Sequence, residues 1–536
     1  MIQMARWGIA VLCAVAACAA ADTRFGISYP AAVHAAPVTG RVYVMISRSS
    51  QVEPRLQVGR VGVPLFGHDV KNLAAGEQTV IDASDLGTPV ESLKEIPPGE
   101  YFVQGFVSVY SEFHRADGHT VFLHDDQWEG QHWNRSPGNL YSRVQKLTVN
   151  LGKSELVSLV CDQVIPPVEI PPDTEYVKRF KIQSPMLTKF WGRPIYMGAT
   201  VLLPKDYERT AMEYPVLYTQ GHFSLAPPLG FAPNGPGKVL YDEWTKENFP
   251  RMIVVTFQHP TPYFDDSYAV NSVNVGPYGD AILQELIPEV EKRFRAIRQP
   301  WARLLSGGST GGWEALALQL FHPGFFGGTW AYCPDSVDFH DVEGINVYQD
   351  KNAFYKEIDW RREPTINSRE VNGQVRQTSE QRNHFELVNG TRGRSGEQLD
   401  IWSAVFGPAG EDGYFEPLFD KMTGTMHPKV AQYWIENFDL RYYMEKNWAA
   451  LGPKLVDRLH IYVGDADNFF LNNGVHRMQE WMAKTENPHY EGYFVYGAMK
   501  GHCYSGPENS ADRLKQMAEY ILAKMPANTV AEWWRN

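Results

Sequence analysis

The stretch Leu304-Leu305-Ser306-Gly307-Gly308-Ser309-Thr310-Gly311-Gly312-Trp313 limits what this chain can fold into more than any other. The apolar run Trp301 to Leu305 reads as a buried strand, and Glu314 to Phe321 (EALALQLF) as the apolar face of a helix. Ser309 stands between them at the apex of a G-x-S-x-G pattern, which predicts strand, sharp turn, helix. So tight a turn holds its central residue in a strained backbone, and side chains two residues to either side would collide, hence the glycines. The turn lifts the serine hydroxyl clear of the sheet. The helix start offers free N–H groups to negative charge forming beside it.

A strand of this kind needs neighbours. Beyond Tyr176 the sequence supplies them: Val177 to Gln183 and Ile195 to Leu203 read as antiparallel strands, followed by the apolar runs Tyr214 to Thr219 and Met252 to Phe257. A helix over Asp280 to Phe294 precedes the serine strand, and Gly327 to Tyr332 follows as another buried strand. Arg458 to Val463, a helix near Val475 to Lys484, Tyr493 to Tyr496 and a helix from Ala511 to Lys524 complete the pattern. Continuous apolar strands alternating with helices imply a mostly parallel sheet covered on both faces. The segment 339–454 interrupts this alternation, rich in aromatic and charged residues, and is expected to form a small helical cap beside the site.

The region 25–163 reads differently. Arg41 to Arg48, Glu100 to Tyr110, Val121 to His124, Arg143 to Val149 and Glu155 to Cys161 alternate or run apolar between turn signals, which predicts an all-β sandwich of immunoglobulin-like kind. Its polar loop His124-Asp125-Asp126, Glu129, His132-Trp133 matches no metal-ligand spacing and is expected to be solvated. The proline-rich stretch 164–175 reads as a semi-rigid linker, leaving 176–536 as the catalytic unit.

At the start, Arg6, the apolar run Trp7 to Ala17 and the exit Ala19-Ala20-Ala21 form a signal peptide over 1–21, so the protein is expected to be exported: periplasmic, secreted or lipid-anchored. Val15-Ala16-Ala17-Cys18 also resembles a bacterial lipobox, which leaves a lipid anchor at Cys18 as the alternative to cleavage after Ala21. Cys161, Cys333 and Cys503 remain, an odd number, which excludes a disulfide framework. A formal net charge of −12 argues against nucleic acid or an anionic membrane surface as the main partner.

A serine hydroxyl needs a base, and the base an orienting carboxylate. In a parallel sheet these belong on loops after later strands, in the chain order Ser, acid, His. Lys500-Gly501-His502-Cys503 follows the last strand and makes His502 the candidate base, ahead of His460, His476 and His489. Gly464-Asp465-Ala466-Asp467-Asn468 offers the acid, Asp467 in preference to Asp465. The oxyanion donors are expected from the backbone N–H of Thr310 and from the loop Gln220-Gly221-His222-Phe223, at His222 or Phe223. This chemistry calls for no metal and no organic cofactor.

The segment GGSTGGWEALALQLFHPGFFGGTWAYCPDSVDF, Gly307 to Phe339, resembles the nucleophile region of the Putative esterase family of α/β-hydrolases. The shared marks are Gly311-Gly312, Ala315-Leu316, His322-Pro323, Phe326 and Pro334, together with Gln284 to Pro288 before the serine strand. That family includes S-formylglutathione hydrolases, enterochelin esterases, feruloyl and acetylxylan esterases and mycolyltransferases. The resemblance runs over about Lys178 to Met525 outside the insertion and implies an α/β-hydrolase fold with Ser309, Asp467 and His502 as triad. Three positions depart from the family pattern: Gln220 replaces a histidine, Thr310 replaces a methionine, and the insertion is long. Cys333 and Cys503 both fall at the rim of the expected site, where a bond between them stays open. The expected activity is hydrolysis of a small-molecule or polysaccharide ester, feruloyl or acetyl. An enterochelin-type siderophore esterase and a non-catalytic glycan- or protein-binding relative are the alternatives.

Overall fold

The computed structural model describes residues 22–149 and 154–534; the expected leader 1–21, with Cys18, lies outside them. The N-terminal unit is β-rich. Asp22–Ser28 pairs parallel with Ser154–Val160 and antiparallel with Thr79–Ile81, so the unit's first strand is clasped to one near its end. A larger sheet is centred on Val38–Ser47, flanked by Leu65–Leu73 and Gly99–Val109, both antiparallel to it. Period-two alternation explains its packing. Val42, Val44 and Ile46 enter the core between the sheets with Phe25, Ile27 and Val103. Tyr43 and Met45 point the other way, into a second cluster with Phe106, Trp133 and Val388. The sheets approach so closely that a Cβ on Gly105 would lie 2.9 Å from Leu159 Cβ.

The second unit is built on an eight-stranded sheet: β1 (Val177–Gln183), β2 (Tyr196–Leu202), β3 (Val216–Gln220), β4 (Ile253–Gln258), β5 (Arg303–Gly308), β6 (Gly328–Tyr332), β7 (Leu459–Gly464) and β8 (Tyr493–Gly497). Their spatial order is β1-β2-β4-β3-β5-β6-β7-β8. The β1–β2 and β2–β4 pairings are antiparallel, and every pairing from β4 onward is parallel. In β3 every residue is buried, and in β4 all but one, as expected of strands covered on both faces. Helix α1 (Thr310–Phe321) follows β5 directly.

The insertion between β6 and β7 holds more than helices. Two hairpins, Tyr355–Ile358 with Arg361–Pro364 and Ile366–Arg369 with Val375–Thr378, precede α2 (Ser379–Asn389), α3 (Gln398–Phe406), α4 (Pro428–Phe438) and α5 (Leu440–Leu455). Thr378 and Gln381 form a capping box that starts α2. The insertion carries a buried ionic cluster: Glu386 is ion-paired with Arg382 at 3.0 Å and accepts from Lys421 at 2.8 Å, and Lys421 also bonds Asp400. The C-terminal end of α2 docks on the β-rich unit. Arg41 Nε donates to Val388 O at 3.0 Å, and Trp133 Nε1 to Asn389 Oδ1 at 3.1 Å.

The loop 124–133, expected to be solvated, lies instead between the two units. His124 Nε2 is 3.1 Å from Arg394 O, Gln131 Nε2 donates to Thr261 O at 2.6 Å, and Trp133 stacks on Tyr43 at 4.3 Å. His124 and Gln131 are buried there on partners distant in sequence, whereas Gln127 and His132 stay exposed.

Candidate active site

Ser309 occupies the turn between β5 and α1 with φ 57° and ψ −124°, a conformation costly for any residue with a side chain. The flanking glycines are sterically required. A Cβ on Gly307 would lie 2.2 Å from Gly311 O, and one on Gly311 only 2.1 Å from Gln220 O. The same contact shows that the first turn of α1 presses against the peptide after β3. The Thr310 N–H belongs to that first turn and has no intrahelical acceptor. The peptide after β3 leads into the loop of His222 and Phe223, where the sequence expects the second oxyanion donor.

Three side chains from three loops form a line. Ser309 Oγ lies 3.0 Å from His502 Nε2, and His502 Nδ1 lies 3.0 Å from Asp467 Oδ2. Asp467 is fully buried, its Oδ1 accepting the Phe469 N–H at 2.9 Å, whereas Asp465 is exposed. Asn468 Oδ1 accepts the His502 N–H at 2.8 Å, and Phe469 packs its ring edge-on against the imidazole at 4.9 Å. The other histidines are occupied elsewhere: His460 stacks on Trp330 and His476 on Tyr496. Burial pushes the His502 pKa down, but its hydrogen bonds to Asp467 and Cys503 and the charges on both outweigh it and lift the group to about 10.

Cys333 and Cys503 are free thiols, and their sulphurs and a His502 ring nitrogen all lie within 4.8 Å of one another. The hydrogen bond from Cys333, together with the adjacent His502, holds the Cys503 thiol well below its usual range against the effect of burial.

One functional group escaped the sequence reading. Asp335, just after β6, accepts a hydrogen bond from Ser309 Oγ at 3.2 Å. Its other oxygen accepts from Tyr268 Oη at 2.6 Å, Thr310 Oγ1 at 3.1 Å and Gln398 Nε2 at 3.1 Å. Burial raises its pKa, opposed by the Tyr268 hydrogen bond and the charge of His502. Gln398, at the start of α3, also donates to Thr310 Oγ1 at 2.9 Å. From the opposite side Arg369 clasps the acid loop: its N–H donates to Asn468 O at 2.9 Å and its Nε to Asp467 O at 3.2 Å. Nothing near Pro334-Asp335-Ser336 marks Asp335 in sequence; only the turn after β6 brings it to the serine.

Residues 195–394 match the family described as Putative esterase, a stretch that includes Ser309 and ends before the Asp467 and His502 loops. A comparison with curated proteins returned no match. Among solved structures, a ferulic acid esterase is similar at 17% identity, covering 64% of this chain and 96% of its own, with a TM-score of 0.38. An S-formylglutathione hydrolase from Agrobacterium tumefaciens is similar at 13% identity, covering 66% and 99%, with a TM-score of 0.35. FphF, a fluorophosphonate-binding serine hydrolase from Staphylococcus aureus, is similar at 13% identity, covering 64% and 98%, with a TM-score of 0.34.

Proposed function

We propose, from a chain whose esterase segment surrounds Ser309, that the protein is an exported serine ester hydrolase acting through an acyl-enzyme. The observation that carries this reading is the line Asp467–His502–Ser309, with both contacts at 3.0 Å. Ser309 Oγ attacks the ester carbonyl, and His502 Nε2 takes its proton and passes it to the departing alcohol. Asp467 fixes the imidazole through Nδ1–H and stabilises the imidazolium. The oxyanion is received by the N–H groups of Thr310 and of His222 or Phe223, and a preorganised donor of this kind contributes about a hundredfold or more in rate. Water then enters by the same route, with His502 as base, and releases the acid.

The substrate we favour is a feruloyl or acetyl ester on a carbohydrate. Trp360, fully exposed between the two strands of the first insertion hairpin, supports it by offering a flat aromatic face to a large ligand. The leader sequence supports export.

Ser309→Ala and the wild type, treated with a fluorophosphonate probe and assayed on p-nitrophenyl, feruloyl and acetyl-xylan esters, test the proposal. Labelling and hydrolysis should be confined to the wild type. An unlabelled wild type, or equal labelling of the variant, overturns the hydrolase reading. Hydrolysis of p-nitrophenyl esters with neither carbohydrate ester cleaved overturns the substrate assignment alone.

A further inference from the structure

Beside the loop that follows β3, and separate from the line of Ser309, His502 and Asp467, three donor atoms converge. His222 Nδ1 lies 3.1 Å from Asp265 Oδ1 and 3.2 Å from Asp266 Oδ2, and all three ligand atoms fall within 4.8 Å of one another. Donors bound at about 2.1 Å to a first-row or magnesium-sized ion sit about 3 Å from their neighbours in its coordination shell, so the two spacings from His222 Nδ1 fit such a shell as well as a direct hydrogen bond.

Charge makes the same point independently. Asp265 and Asp266 are buried, and so is Glu314, which projects from α1. Neither Glu314 oxygen has a hydrogen-bond partner among the described residues, and the same holds for Asp266 Oδ2. The charges of Asp266, His222 and Asp265 act most strongly on Glu314, so the orphaned carboxylate lies within their electrostatic reach. The fields at the three carboxylates are dominated by one another, His222, His259 and Asp335, with no lysine or arginine among them. Three buried carboxyl groups facing one imidazole are costly unless a proton or a metal supplies the remaining positive charge. His259 does not close the gap. Its Nδ1 accepts the Ser267 N–H at 3.1 Å, which leaves the proton of the neutral ring on Nε2, and Nε2 stops 3.9 Å from Glu314 Oε1. The cluster has a route to solvent, because the His222 side chain is 48% exposed.

We infer that His222 Nδ1, Asp265 and Asp266 bind one divalent cation of the manganese or zinc class, with Glu314 buried behind it. One imidazole and two carboxylates form a donor set suited to these ions. The ion joins the loop after β3 to the loop after β4. It thereby fixes the backbone of His222 and Phe223, a consequence that rests on the serine hydrolase reading, whereas the binding itself does not.

The test is metal content and calorimetry on protein stripped with EDTA and titrated separately with Mn2+, Zn2+ and Ca2+. The Cys503→Ser protein serves as the background, since Cys333, His502 and Cys503 form a second group able to take zinc. One equivalent of Mn2+ or Zn2+ should bind in that background. His222→Ala, the variant least disturbing to the core, should weaken binding more than about a hundredfold, since loss of even an outer-shell partner costs about 10–100-fold. Asp266→Asn should behave alike, and the circular dichroism of stripped His222→Ala should show the wild-type fold. No stoichiometric binding of Mn2+ or Zn2+, binding lost with Cys503→Ser, or undiminished binding by His222→Ala would overturn the inference. None of these readouts depends on turnover.

Discussion

Ser309 Oγ donates to Asp335 Oδ1 at 3.2 Å while lying 3.0 Å from His502 Nε2, so two groups contend for one hydroxyl hydrogen. With His502 protonated, the serine gives its hydrogen to Asp335 and accepts one from Nε2. Once the imidazole is neutral, the hydrogen turns to Nε2 and the nucleophile is primed. Asp335 therefore sets the resting orientation of the hydroxyl, and Asp467 holds the imidazole.

The two carboxylates should separate on mutation. Asp467→Asn leaves the imidazole in the wrong tautomer and should lower kcat by about 10^4, the scale known for this change in a serine protease triad. Asp335→Asn removes one hydrogen bond of ordinary strength and should cost no more than about tenfold. Steady-state kinetics on a p-nitrophenyl ester measure both, and equal losses would refute the assignment of roles.

The pH profile should respond to a residue outside the line. His502 acts as base only when unprotonated, so kcat/KM rises with pH through its pKa. Cys503 contributes both a hydrogen bond and a charge that raise that pKa. Cys503→Ser removes the charge, so the ascending limb should move to lower pH. Rate profiles of the two proteins between about pH 5 and 10 decide it, and an unmoved or upward-shifted limb contradicts the coupling.

Gln398 lies between the insertion and the elbow, donating to Thr310, Asp335 and Tyr268. Gln398→Ala should leave their partners under-satisfied, lower the unfolding free energy by about 1–2 kcal/mol and reduce kcat/KM by about tenfold. Urea titration and steady-state kinetics give the two values.

Lys421 neutralises the buried Glu386 and Asp400. Lys421→Met leaves two carboxylates facing each other in the interior and should destabilise the fold by about 3–5 kcal/mol. The double variant Lys421→Met, Asp400→Asn should recover part of that loss in chemical denaturation. No recovery would mean that the cost arises from packing.

The sheet was readable because its strands are buried on both faces, so runs such as Ile253–Gln258 and Arg303–Gly308 stand out as apolar blocks ended by turns. The meeting of Ser309, Asp467 and His502 was readable because chain order and strand ends leave few candidates. The insertion hairpins were not. Arg361–Pro364 is exposed or half-buried along its length and has no apolar alternation to detect. The loop 124–133 misled for the opposite reason: its polar residues find partners about 130 and 270 positions away, which no local pattern encodes. Asp335 depends on the same kind of distant information, its partners coming from Tyr268, Ser309, Thr310 and Gln398.

The docking of α2 on the β-rich unit extends toward the nucleophile. Trp133 holds Asn389 at one end of that helix, Glu386 one turn earlier accepts the Leu399 N–H at 2.9 Å, and the preceding residue, Gln398, bonds Thr310 beside Ser309. The N-terminal unit is thus a buttress and not an appended module. A chain that began after the β-rich unit would keep Ser309, His502 and Asp467 and lose the brace that reaches their surroundings through Asn389, Glu386 and Gln398.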